Sequence, residues 1–248
     1  MTIIGNSKAR GADNNQESKL GNNKLQKVSF RQLKFIKGNL IINYNRIIGN
    51  LQINENHVHV PVLDFPLLES VGGKLEMIFN PNLKVFKFGR LKKIGNLLDI
   101  ERNFELMRFN MNPLQTIGLR CQDSSNNCCF LFIKENSKLT FTTFQQLSYI
   151  YSGVNISANS NLSSLNGLGR LSRVNSTLYF NDNPSLCAHN EVDIGIIQRI
   201  FKAHGLPPII GIDRNVPIQN CRSNCPNVNC VSRCQDYDAC NRYVHENP

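Results

Sequence analysis

One asparagine recurs through this chain inside a fixed apolar frame, and the interval between its copies constrains the fold more than any other feature. The frame places apolar residues five and three positions before the asparagine and a leucine three after it. Asn80 has Leu75, Met77 and Leu83; Asn103 has Leu98, Ile100 and Leu106; Asn136 has Leu131, Ile133 and Leu139. Asn159 has Val154, Ile156 and Leu162, and Asn183 has Leu178, Phe180 and Leu186. The intervals are 23, 33, 23 and 24 residues, and upstream Leu68 and Val71 recur as Leu91 and Ile94. A period in this range marks a solenoid, whose single coil cannot bury its own apolar face and must stack on its neighbours.

The frame also predicts the shape of a coil. Leu-x-Ile reads as a short strand whose alternate side chains point inward. Asparagine then turns the corner, since it tolerates left-handed backbone. The expectation is a mainly β solenoid of leucine-rich-repeat type with two inward columns. One is Leu75, Leu98, Leu131, Val154 and Leu178; the other is Met77, Ile100, Ile133, Ile156 and Phe180. Asn80, Asn103, Asn136, Asn159 and Asn183 should form a structural ladder, bonding backbone groups that a buried turn would strand.

Two intervals break the rule. At the start, Leu40, Ile42 and Asn45 are followed only 11 residues later by Leu51, Ile53 and Asn56, which predicts a coil shortened by about half. Between Asn103 and Asn136 there are ten residues too many, in a polar stretch bounded by Cys121, Cys128 and Cys129. This predicts a protruding loop stapled from Cys121 to Cys128 or Cys129. After the last repeat, residues 190–204 read as an amphipathic capping helix, with Asn190 as N-cap, Ile194, Ile197, Ile200 and Phe201 on one face, and Gly205 at the end.

The nine cysteines are clustered. Besides the group at 121–129 and Cys187, five crowd the tail as Cys221, Cys225, Cys230, Cys234 and Cys240. That density points to an oxidising compartment and to disulfides rather than metal, because no C-x2-C knuckle is present. Cys187 and Cys221 bracket the capping segment and are expected to pair; the competing reading is a reduced protein with Cys187 as a small buried hydrophobe. The odd count is expected to leave one thiol unpaired or to signal a truncated chain. Sequons at Asn155, Asn161 and Asn175 are glycosylation candidates that agree with an extracellular or cell-surface location. Residues 1–27 are polar and do not form a signal peptide, so this segment is expected to be disordered or an incomplete N-terminus. No apolar run is long enough for a membrane span.

A formal charge of +10 suggests affinity for acidic surfaces such as sulfated glycans, nucleic acid or anionic lipid, although an ordinary solvated basic surface is the first reading. The basic residues are scattered, and no nucleic-acid-binding motif accompanies them, so nucleic acid is not an expected partner. Catalysis finds little footing. Acidic residues are sparse, as against the carboxylate cluster of a polysaccharide-active β-helix enzyme, and no nucleophile, phosphate-loop, metal-protease or cofactor motif occurs. His57 and His59 alternate as metal ligands can, but without an acidic or cysteine partner.

The segments Leu33-Lys-Phe-Ile36-Lys-Gly-Asn-Leu40-Ile-Ile42, Leu91-Lys-Lys-Ile94-Gly-Asn-Leu-Leu98-Asp-Ile100 and Asn183-Pro-Ser-Leu-Cys187 resemble the receptor L domain of insulin- and EGF-type receptors. The third is similar to the cysteine-bearing coil that closes such a domain. The resemblance spans residues 28–221, leaving 222–248 as a Cys-rich tail that begins a disulfide module. It implies a right-handed parallel β-helix used for ligand binding or receptor dimerisation. The expected partner is a secreted peptide or protein ligand or another receptor ectodomain, with no enzyme activity and no cofactor. A generic leucine-rich adhesion or cell-surface structural protein is the alternative.

Overall fold

The computed structural model describes residues 2–4, 28–45, 52–53, 59–60, 63–119, 129–140, 142–186 and 209–211. Within them the chain is mainly β, and the single helical element is a 3-10 turn, Asn166–Leu168. Successive repeats visit three sheets in one order. Leu75–Ile78 lies in the first sheet, Val85–Lys87 in the second and Lys93–Ile94 in the third; Leu98–Glu101 then returns to the first, beside Leu75–Ile78. The three sheets hold eight, four and six strands, and every pairing in them is parallel.

The register explains why such short strands persist. Leu40, Leu75, Leu98, Leu131, Val154 and Leu178 are consecutive partners across the first sheet. Met77, Ile100, Ile133 and Ile156 form the adjoining column, and all of these side chains are buried. In the second sheet Leu63, Phe86 and Phe109 are in register, with the Phe86 and Phe109 rings stacked at 5.1 Å. Ile36, Val71, Ile94, Ile117, Ile150 and Val174 line the third. Each strand is too short to hold alone; burial between identical neighbours stabilises it.

At the start, the structure corrects the expectation of a shortened coil. Ile53 does not enter the first sheet: Gln52–Ile53 pairs antiparallel with His59–Val60 in a separate two-stranded ribbon. Leu40 pairs directly with Leu75, so this coil is lengthened by an excursion instead of truncated. A Leu-x-Ile triplet is equally apolar in either setting, and the long-range pairing decides between them. Two further strands lie where the sequence predicted none. Thr2–Ile4, inside the segment expected to be disordered, pairs with Leu40–Asn43, and Ile209–Gly211 pairs with Thr177–Tyr179. They extend the first sheet at its two edges, where backbone groups would otherwise lack partners. The expected capping helix over residues 190–204 lies outside the described residues.

Candidate functional site

The first sheet turns a continuous face outward, and its support is built from the corner asparagines. Asn45, Asn80, Asn103, Asn136, Asn159 and Asn183 are fully buried. Before each of them the chain passes through left-handed backbone, at Tyr44, Phe79, Arg102, Glu135, Ala158 and Asp182, with φ between 53° and 59°. That kink takes a backbone N–H and a carbonyl out of the strand ladder, and the asparagine of the next coil satisfies both. Asn136 Oδ1 accepts the Asn103 N–H at 3.1 Å, and its Nδ2 donates to the Ile100 carbonyl at 2.9 Å. The same two contacts recur from Asn80 to Asn45 and Ile42, from Asn103 to Asn80 and Met77, from Asn159 to Asn136 and Ile133, and from Asn183 to Asn159 and Ile156. Only a carboxamide supplies both acceptor and donor at this reach. The ladder therefore fixes coil to coil and holds the outward face in register.

On that face Glu76, Asp99, Phe132 and Asn155 are successive partners, with Tyr179 next in line. A parallel row carries Ile78, Glu101, Lys134 and Ser157. Phe130 and Phe132 stack at 5.2 Å, and Lys134 lies over the Phe132 ring, 4.9 Å from its centroid. Glycine at 153 permits this, since a Cβ there would collide with the Phe130 ring. Lys74 pairs with Glu76 at 2.6 Å, and Lys134 with Glu101 at 3.2 Å. Asp99, between them, is only 8% exposed, and its Oδ1 has no hydrogen-bond partner among the described residues. Burial raises its pKa to about 7; Glu101 and Glu76 add to the shift, and Lys134 and Lys74 oppose it.

Where the first sheet bends toward the second, an aromatic ridge follows the corner. Tyr44 and Phe79 are 5.8 Å apart, and Phe79 meets Phe104 edge-on at 6.0 Å. Tyr44, Phe104 and the nearby Met107 are exposed. Beside the ridge Arg102 donates two hydrogen bonds to Glu135, which hold that carboxylate below its ordinary pKa. Neither the ridge nor Asp99 was anticipated from sequence. For the ridge, the available signal was an aromatic residue directly before a repeat asparagine, at Tyr44 and Phe79.

The sequons fall in two settings. Asn161 and Asn175 are exposed turn residues, whereas Asn155 is half-buried in a strand and accepts a hydrogen bond from Ser157 Oγ at 2.8 Å. Cys129 is buried and disulfide-bonded. Its partner lies outside the described residues, as do Cys121, Cys128, Cys187, Cys221, Cys225, Cys230, Cys234 and Cys240 and therefore the proposed staple and closure. His57 also lies outside them, and His59 falls in the antiparallel ribbon. Among the described residues no group of three or more His, Cys, Asp or Glu is placed to hold a metal ion, and no helix is long and apolar enough to cross a membrane. No family model, curated protein or solved structure matches the chain.

Proposed function

We propose that this chain is a non-catalytic extracellular recognition module of the receptor L-domain type. In this reading the three parallel sheets wind as a right-handed β-helix, closed at its C-terminal end by a capping helix and the Cys187–Cys221 disulfide. The outward face of the first sheet and its aromatic ridge bind a secreted peptide or protein, or another ectodomain. The observation that carries the reading is the ridge, with Tyr44, Phe79 and Phe104 aligned along successive coils at the margin of a face braced by the ladder. Exposed, ordered aromatics of this kind act as anchors of protein interfaces. The exposed sequons and the disulfide at Cys129 agree with the location.

Two measurements test it. Chain produced in a secretory host should carry glycans at Asn161 and Asn175 and none at Asn155, as read by peptide mass spectrometry. Bare Asn161 and Asn175 would contradict the extracellular location. The purified chain, screened against a library of secreted proteins, should yield a partner whose affinity falls about tenfold or more in the Tyr44→Ala/Phe104→Ala variant. A partner bound equally by that variant, with its thermal stability unchanged, would remove the ridge from the interface.

A further inference from the structure

We infer that the side of the molecule formed by the second and third sheets is a docking surface for a linear sulfated glycan. The charges of the described residues are segregated. Glu76, Asp99 and Glu101 lie on the first sheet, and Glu105 and Glu135, at the adjoining corner, are paired with Lys138 and Arg102. Toward the second and third sheets Lys34, Lys87, Arg90, Lys92, Lys93 and Arg108 are all exposed, and none is in an ion pair among the described residues. Opposing charge there is limited to Glu69 and to Asp64, which shares the register of Lys87.

The sheet geometry sets the spacing of this positive surface. Glu69 N–H donates to the Lys34 carbonyl at 2.8 Å, and Lys92 N–H to the Glu69 carbonyl at 2.9 Å. Lys34 and Lys92 therefore stand two strands apart, about 10 Å. Glu69 lies in the same row between them, and Gln115 and Thr116 follow Lys92 and Lys93 along the axis. The cations therefore form a local patch, with Lys87, Arg90, Lys92 and Lys93 in one coil and Lys34 and Arg108 in the coils beside it, that a short segment of a linear polyanion spans. A surface with a net positive field binds polyanions by releasing their counterions. The choice of a sulfated glycan over nucleic acid rests on the extracellular reading above, since sulfated chains are the polyanions that such a module meets.

The test uses the intact chain from a secretory host and a heparin oligosaccharide of defined length. Lys92→Glu/Lys93→Glu is compared with Lys74→Glu/Lys138→Glu, which makes the same charge change at the first sheet and its corner. The first variant should lose at least tenfold in affinity near physiological salt. The slope of log affinity against log salt should fall by about two. The control should change less than threefold, and thermal denaturation should show both variants folded. Equal loss in the two variants, equal binding of the desulfated oligosaccharide, or equal binding of duplex DNA of matched charge would each overturn the assignment. Sequon occupancy is read separately. Unmodified sequons beside intact, patch-dependent glycan binding would overturn the extracellular reading alone.

Discussion

At the scale of single residues, Asn136 and Asp99 show two opposite uses of a buried polar side chain. Asn136 is fully satisfied and satisfies others. Its replacement by alanine leaves the Asn103 N–H and the Ile100 carbonyl buried without partners, at roughly 1–3 kcal/mol each. Asn136→Ala should therefore lose about 3–5 kcal/mol in denaturant unfolding, whereas an exposed turn asparagine would lose under about 0.5. Asp99 is the unsatisfied case. Its pKa is raised from 3.8 to about 7, so the folded chain keeps a proton that the unfolded chain has already released. The stability tied to that proton is fully present below about pH 4 and is lost as the pH rises toward 7. Asp99→Asn should stabilise the protein at pH 8, on the order of 1–4 kcal/mol, and leave its melting temperature nearly unchanged at pH 4. A variant that tracks the parent at both pH values would show that the carboxylate is relieved by other contacts.

At the scale of elements, the unit is a strand of two to four residues that owes its existence to the strands on either side. Ile156 lies in the inward column between Ile133 and the Phe180 coil, fully buried. Ile156→Ala removes contacts to both neighbouring coils and should cost about 2–5 kcal/mol. Because each coil contacts chiefly its nearest neighbours, the loss should appear as earlier hydrogen exchange in Val154–Ser157 and the strands beside it. Uniform loss of protection in all three sheets would mean that the coils unfold as one unit. The ribbon of Gln52–Ile53 and His59–Val60 shows the same dependence from the other side. Ile53 ends a sequence triplet like those of the first sheet, yet Gln52–Ile53 pairs elsewhere, because Leu40 is already seated against Leu75 and the Asn45 N–H against Asn80.

At the scale of the whole molecule, the repeat gives each side of the coil stack its own character: a mixed aromatic and ion-paired face on the first sheet, and unpaired cations toward the second and third. The sequence by itself determined the inward columns and the positions of the corner asparagines. Every coil repeats one local environment, and a local environment leaves its pattern in consecutive residues. The phenylalanines in and just after the second-sheet strands carry the same interval, since Phe65 and Phe88, like Phe86 and Phe109, lie one period apart. Tertiary structure alone decided which triplets stack, that Thr2–Ile4 and Ile209–Gly211 extend the first sheet, and that Asp99 is buried among the side chains of other coils. Those outcomes depend on residues 20 to 40 positions apart meeting across strands, and the free energy of such a meeting belongs to the pair, so neither local sequence records it.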